Sequence, residues 1–368
     1  VQEGVIDIHR LSILIQASIK AGRYFAARVG SDKQVTQKTS AADVVTEVDK
    51  AAEEIIRGHI RRMAPDDVVL GEEGTAPGAK AAKSALEAVS DAAHLWIIDP
   101  IDGTTNFVSK IPLSVVSLAY AAQGELKLGA VYDPYRDELF YAVRGHGAWR
   151  VRGEEVLNVF TSDATGHRVS QHVAGAASTA AEGTAIEGAA STAAEGTAQI
   201  TSEGTVAGST STERSLTPTV PTLTPSTLTP SKLTALPGER MSASSIGELR
   251  RSVIASGFPT RADHREASLV NGMAIVRRAK SLRGFGAAAL HLAYVAAGRI
   301  EGFWEYDLNA WDIAAGALLV EEAGGVITAI DGSAYELAVR NVVACGQAVL
   351  AEDIRNTLAT PYQPESVE

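Results

Sequence analysis

A single cysteine, Cys345, stands in 368 residues. A disulfide within the chain is therefore impossible, and a cysteine-based zinc cage is excluded. Cys345 lies in the apolar run NVVACGQAVL, where a small core residue is a plainer reading than a reactive thiol. Long hydrophobic runs are also missing. The longest, around Ile111 to Ala122, is interrupted by two serines. It falls short of the ~20 apolar residues that a membrane helix needs. Positive charge is in deficit: 33 Lys and Arg face 44 Asp and Glu, for a formal net charge of −11 and a pI near 5.3. That balance argues against binding nucleic acid or an anionic membrane non-specifically. It suits a carboxylate cleft that gathers cations, and equally a plain acidic surface. The first residue is Val1, not Met, so a start or a targeting peptide is expected to be missing from this numbering.

Length allows two domains or one large one, and 45% hydrophobic content allows a sizeable core. One segment stands apart. From about Thr161 to Gly238, Ala, Ser, Thr, Gly and Glu dominate and aromatic residues vanish. GAASTAAEGTAIE at Gly175–Glu187 returns as GAASTAAEGTAQ at Gly188–Gln199, and Leu-Thr-Pro recurs at Leu216, Leu223 and Leu228. Such a chain buries too little apolar surface to offset its conformational entropy. It reads as a disordered insertion at 161–238 whose Pro-rich half favours extended conformations. A tolerated loop expansion explains it, since loop length costs little free energy. A docking arm for a partner is the other reading. Residues 1–160 and 239–368 then form two parts of one interrupted domain.

Apolar spacing predicts a helix over Asp7 to Val29. It predicts a short strand followed by a charged helix over Asp43 to Met63. LKLGAVYDPYRDELFYAVRGHGAWRV reads as strands separated by turns, and a further strand follows the polar start of GELRRSVIASGFP. Ala287–Ala297 and Asp312–Ala323 read as helices. The irregular alternation suggests a layered α/β or α+β fold.

Carboxylates gather where strands or turns end: Asp43 and Asp49, Glu72 and Glu73, Asp99 and Asp102, and Asp312. In WIIDPIDGTTNF an apolar strand is expected to stop at two like charges a few residues apart. Like charges repel, and burial raises the cost, so something positive should sit between them. Hard divalent cations want oxygen ligands. Magnesium takes a few carboxylates and accepts phosphate oxygens of a substrate. A shared carboxylate makes a two-metal site for displacement at phosphorus. Pro100 stiffens the turn, and the Ile101 carbonyl between the aspartates would add an oxygen ligand. If a helix starts at Gly103-Thr104-Thr105, its open amides would hold phosphate. Each place alone is explained as well by a turn or a helix cap. Four in one acidic chain without usable His or Cys ligands favour the metal reading.

At these residues the sequence resembles the inositol monophosphatase family of magnesium-dependent, lithium-sensitive sugar-phosphate phosphatases. The motifs are GEE at 71–73, WIIDPIDGTTNF at 96–107 and WDIAAGALLVEEAGG at 311–325, with weaker support from 43–54 and 282–305. The resemblance implies an α/β (α+β) layered sandwich of the inositol monophosphatase/fructose-bisphosphatase type, usually dimeric. It implies two or three Mg²⁺ per site. Glu72, Asp99 and the Ile101 carbonyl would hold the first, and Asp99, Asp102 and Asp312 the second. Glu72 and Thr104 would orient the attacking water, with Asp49 behind Thr104. The Gly103 and Thr104 amides would hold the phosphate. Asp102, Ala288 and Glu305 would face the alcohol part of the substrate, and Lys38 would stand near a weaker third metal. The partners implied are a small phosphorylated polyol or sugar and a second copy of the chain, in a soluble protein of the cytoplasm or a plastid.

Three features depart from the family pattern, among them the long insertion, which is expected to leave the site intact. Ala310 replaces a common proline, which should loosen the turn feeding Asp312. Ala287 replaces a frequent hydroxyl residue. Trp304 and Trp311 read as core or wall, and His291 as a packed histidine. Arg283 reads as a surface ion pair or as a contact to phosphate or a neighbouring subunit. Inositol monophosphate is the expected substrate. L-galactose 1-phosphate, histidinol phosphate and fructose 1,6-bisphosphate are the same-chemistry alternatives. A regulatory protein that kept the fold and lost the reaction is the alternative of another class.

Overall fold

A computed structural model describes residues 7–30, 35–40, 43–161, 238–259 and 261–359. The insertion, the Lys38 side chain and the Asp43 side chain lie outside the described structure. In chain order the elements are α1 (Ile8–Ala26), β1 (Val35–Ser40), β2 (Asp43–Thr46), α2 (Glu47–Met63), β3 (Val68–Gly71), α3 (Ala79–Ala88), β4 (His94–Asp102), α4 (Thr104–Val108), β5 (Val115–Ala122), β6 (Glu125–Asp133), β7 (Glu138–Val143), β8 (Gly147–Arg152) and α5 (Gly153–Thr161). After the insertion come β9 (Glu239–Arg240), a 3₁₀ turn (Leu249–Arg251), β10 (Val253–Ser256), α6 (Ala262–Arg278), β11 (Ser281–Arg283), α7 (Ala288–Ala296), β12 (Gly302–Glu305), α8 (Ala310–Glu322), β13 (Val326–Ala329), β14 (Val342–Cys345) and α9 (Ala348–Ala359).

Seven strands form one sheet in the order β3-β4-β5-β6-β7-β8-β9. Only its first pair, β3 with β4, is parallel. A second sheet runs β11-β10-β12-β14-β13, and β1 with β2 makes a hairpin. The period-two alternation of strand side chains explains how the large sheet serves two cores. On β4, Trp96 and Ile98 point toward α1 and α2, where they meet Leu14, Ile15, Ala52 and Ile56. Leu95 and Ile97 point to the other face, against the core of α7 and α8. That middle layer also packs Phe303, Val342 and Ala344 of the second sheet. The far face of the second sheet, with Trp304, Val343 and Cys345, is covered by Ile275 of α6 and Leu350 and Ile354 of α9. Five layers result: helix, sheet, helix, sheet, helix. Each fully buried large apolar side chain contributes about 1.5–3 kcal/mol.

Local chemistry starts the helices. Asp7 caps α1 by accepting the Arg10 amide at 2.9 Å. Thr46 caps α2, and its Oγ1 accepts the Val48 amide at 3.1 Å. Both flanks of the insertion reach one sheet edge, because β9 pairs with β8 through Trp149–Arg240 and Arg150–Glu239. Trp304, His291 and Cys345 are fully buried, and Trp311 nearly so, as a core reading requires.

β4 ends on the two aspartates as expected, but it closes at Asp102 and does not give way to a turn at Pro100. Its register against β5 shifts between Asp99 and Asp102. Pro100 has no amide to give to the ladder, so pairing lapses after Asp99 and resumes at Asp102.

Candidate active site

The site forms where the ends of β3, β4 and β12 meet the starts of α2, α4, α7 and α8. Asp49 is the third residue of α2, and its Oδ2 accepts the Thr46 amide at 2.9 Å while the Thr46 hydroxyl also donates to it. Its other oxygen, Oδ1, accepts the Thr104 hydroxyl at 2.9 Å. That hydroxyl also lies 3.1 Å from the Ile101 carbonyl. A hydroxyl has one proton and two lone pairs. Donating to either acceptor leaves Thr104 Oγ1 able to accept from a water. Asp49 is 1% exposed. Burial, and to a lesser degree the charge of Glu72, raise its carboxyl above the usual range, while its bonds from Thr46 and Thr104 pull the other way.

Gly103 makes the sharp turn into α4 at φ +91°. A Cβ there would lie 3.1 Å from the carbonyls of Leu113 and Gly286. Only glycine reaches this backbone without strain and without displacing its neighbours. Asn106 ties the turn down by donating to the carbonyls of Phe285, at 2.6 Å, and Leu113, at 3.1 Å.

Asp102, at the end of β4, accepts the amide of Ala289 at 2.6 Å and also that of Ala288. It thereby serves the first turn of α7 across the layer boundary. Ala287, at the cap position, makes no side-chain cap bond. The carboxylate from β4 does the work a hydroxyl residue there would do. Burial and then Asp312 push the Asp102 carboxyl well above its ordinary range, the Ala289 and Ala288 amides pull it back, and Glu72 adds a smaller upward push. Glu305, at the end of β12, is raised by burial and then by Asp102 and Asp312. Its carboxylate lies over Gly257, where a Cβ would approach within 2.1 Å. So Asp49, Glu72, Asp102, Asp312 and Glu305 share one electrostatic neighbourhood.

The oxygens are not yet arranged as a cage. Among the described residues no three Asp, Glu, His or Cys groups close around one point. Three of the carboxylates accept backbone amides: Asp99 from Ile101 at 3.0 Å, Asp102 from Ala289 at 2.6 Å and Asp312 from Asn309 at 2.7 Å. The donor set still fits a hard divalent cation in kind. It is all oxygen, it is crowded with like charge, and burial makes that charge costly.

Two braces are invisible in the sequence motifs. Glu53 and Arg57 on α2 form an ion pair at 2.7 Å. Glu53 then accepts the Glu73 amide at 2.8 Å, and Arg57 donates to the Val69 carbonyl at 3.2 Å. Together they fix the GEE turn. Gly71 lets them in, since a Cβ would lie 2.7 Å from the Arg57 guanidinium. The second brace is Arg340, which donates to Asp307 Oδ1 at 2.7 Å, to the Asp307 carbonyl at 3.0 Å and to Asn309. The turn feeding Asp312 was expected to be loose without a proline at 310; Arg340 fastens it from outside. Glu53 would have been visible only as a carboxylate twenty residues before Glu73 on a charged helix. Arg283 is exposed and bonds locally to Ser281 and to the Leu282 carbonyl.

Comparison with known proteins shows the family and the fold. The sequence profile described as the inositol monophosphatase family matches residues 9–211 and 231–360. The chain is 30% identical to the Nus factor SuhB of Pseudomonas aeruginosa, over 97% of this chain and 98% of that one. It is 30% identical to the inositol-1-monophosphatase of Rhizobium meliloti, over 95% and 96%. Among solved structures, an IMPase of Thermotoga maritima superposes with a TM-score of 0.63 at 26% identity, covering 95% of this chain and 96% of that one. The extragenic suppressor protein suhB of Bartonella henselae gives a TM-score of 0.64 at 27% identity, covering 95% and 98%.

Proposed function

The chain belongs to the inositol monophosphatase family, and from that premise we propose that it is a magnesium-dependent phosphomonoesterase acting on inositol monophosphate or a similar small polyol phosphate. The observation that carries the reading is the bond from Thr104 to Asp49 beside a cluster of mutually repelling carboxylates. Bound divalent cations would supply Lewis acidity, lower the pKa of a nearby water and offset charge on the leaving oxygen. Glu72, Asp99, the Ile101 carbonyl, Asp102 and Asp312 would hold them.

The chain's own groups do the rest. Asp49 takes the Thr104 proton direction out of play, so Thr104 Oγ1 accepts from the attacking water and aims its lone pair at phosphorus. Glu72 accepts the proton that this water gives up. The Gly103 and Thr104 amides point at the phosphate oxygens. Asp102 and Glu305 accept hydrogen bonds from the substrate's hydroxyls, with Ala288 forming the wall between them. The products are the free alcohol and inorganic phosphate. A homodimer inhibited by lithium completes the proposal.

A second reading is favoured by one observation: several relatives carry the name Nus factor SuhB. A regulatory protein with the same fold would bind without turnover. The separating experiment is phosphate release from inositol, galactose, histidinol and fructose phosphates, with and without magnesium and lithium. Magnesium-dependent, lithium-inhibited release from one of them supports the enzyme. Release from none, with magnesium still bound, supports the regulator.

A further inference from the structure

Between α1 and α2, three nitrogen groups converge. His59 lies ten residues after Asp49 on α2, about 15 Å along the axis at 1.5 Å per residue. It is 5% exposed. Its Nδ1 is 3.3 Å from the ammonium of Lys20, on α1, and 2.8 Å from the Arg62 guanidinium. Ammonium and guanidinium groups only donate, so Nδ1 is the acceptor for both. A ring nitrogen offers one lone pair. Two cations therefore share an acceptor that fully serves one of them.

The arginines elsewhere on these helices find carboxylates: Arg10 with Asp67 at 2.7 Å, Arg23 with Asp137 at 3.3 Å, Arg57 with Glu53 at 2.7 Å and Arg61 with Glu54 at 3.2 Å. Among the described residues Lys20 and Arg62 pair with none, in a chain whose net charge is −11. A cation in the last turn of a helix is ordinary chemistry, and Arg62 ends α2 that way. Lys20 has no such reason. It belongs to α1, and it carries its charge to where another already stands. Burial and then the charge of Arg62 lower its pKa. Arg62 is exposed and Lys20 half-buried, so the pair opens to solvent. Two like charges drawn together over a buried ring call for an ion of opposite sign.

We propose that Lys20 and Arg62 form a binding site for a small phosphate-type dianion, which takes a hydrogen bond from each. Both cations reach the same nitrogen, so they stand no further apart than those two distances laid end to end. The oxygens of one phosphate bridge that span. Its two negative charges offset both cations, which the single charge of a carboxylate does not. Buried His59 holds the two side chains together. The site uses none of the proposed metal ligands and does not depend on the phosphatase reading.

The test titrates the full chain with inorganic phosphate by calorimetry, at low salt, above neutral pH and without added metal. The wild type should bind phosphate, and sulfate should compete for the same site. Acetate, with one charge, should bind at least about 10-fold more weakly. Lys20→Gln and Arg62→Gln should each weaken phosphate binding about 10-fold, the lower end for a hydrogen bond to a charged group, while circular dichroism shows an intact fold. Lys20→Arg, which keeps the charge and the donor, should retain binding. No phosphate binding to the wild type would overturn the proposal. So would binding that both glutamine variants keep, or acetate that binds as tightly as phosphate.

Discussion

Helices α2 and α8 begin alike and end up in different places. Each starts with a polar cap residue, Thr46 or Asn309, and carries an aspartate three residues on, Asp49 or Asp312. Each aspartate accepts its cap residue's amide, at 2.9 Å for Asp49 and 2.7 Å for Asp312. This is ordinary helix-start chemistry. What differs is the surroundings. Asp49 is sealed in, and its second oxygen takes the Thr104 hydroxyl. Asp312 is half-buried, and its charge raises Asp102 and Glu305. One carboxylate orients a neutral partner; the other adds charge to a crowded cluster. A cap fixes where a carboxylate stands, and the neighbours decide what it does.

Breaking the half-buried member of the pair should cost most. Asp312→Asn keeps an acceptor for the Asn309 amide, so the helix start survives. It removes a charge the proposed metals need. Phosphate release at saturating magnesium should fall on the order of 10²–10³-fold, equivalent to the several kcal/mol that metal-assisted charge stabilisation supplies. Circular dichroism should show an unchanged fold.

Breaking the sealed member should cost less. Asp49→Asn also keeps an acceptor for Thr46. Its amide then donates toward Thr104 and reverses that bond, which takes up the lone pair meant for water. Steady-state rates should fall about 10–100-fold, the range for groups that orient a reacting group from behind. Magnesium affinity, read by calorimetry, should change little.

Acid should separate the two helices. His59 lies on α2, and its Nδ1 is 2.8 Å from Arg62 and 3.3 Å from Lys20. Burial first, then Lys20 and Arg62, lower its pKa from 6.5 to about 3. Between those values the unfolded chain binds a proton that the folded chain refuses. Stability is therefore full above pH 6.5 and falls as pH drops toward 3, with a slope approaching about 1.4 kcal/mol per pH unit. α8 holds no histidine. Hydrogen exchange at pH 5 should speed up in α2 before α8. The smallest effect is expected from Thr46→Ala, which removes the cap bond from Val48 and the hydroxyl's bond to Asp49 and should cost ~1 kcal/mol in denaturant unfolding.

The parts of this comparison differ in how far they could be read from residues alone. WIIDPIDGTTNF showed the aspartates, the turn at Gly103 and the helix that follows, because adjacent residues make that turn. The packed reading of His291 was legible from its apolar helix, and the side chain is fully buried with the Phe285 amide bonded to its Nε2 at 2.9 Å. The lapse in pairing at Pro100 was not legible, since register against β5 decides where pairing resumes. Nor were the Arg57–Glu53 and Arg340 braces. Their backbone partners come from other elements, and by itself each looks like any solvated charge. The service Asp102 gives to α7 joins residues 187 positions apart, a distance no local pattern spans.

The central claim is that these two helix starts feed one reaction centre. It is tested by phosphate release at saturating magnesium from the wild type, Asp49→Asn, Asp312→Asn and the double variant. Groups acting as one unit are strongly non-additive. The account predicts that Asp49→Asn costs almost nothing further once Asp312 is changed. Two losses that simply multiply would contradict it.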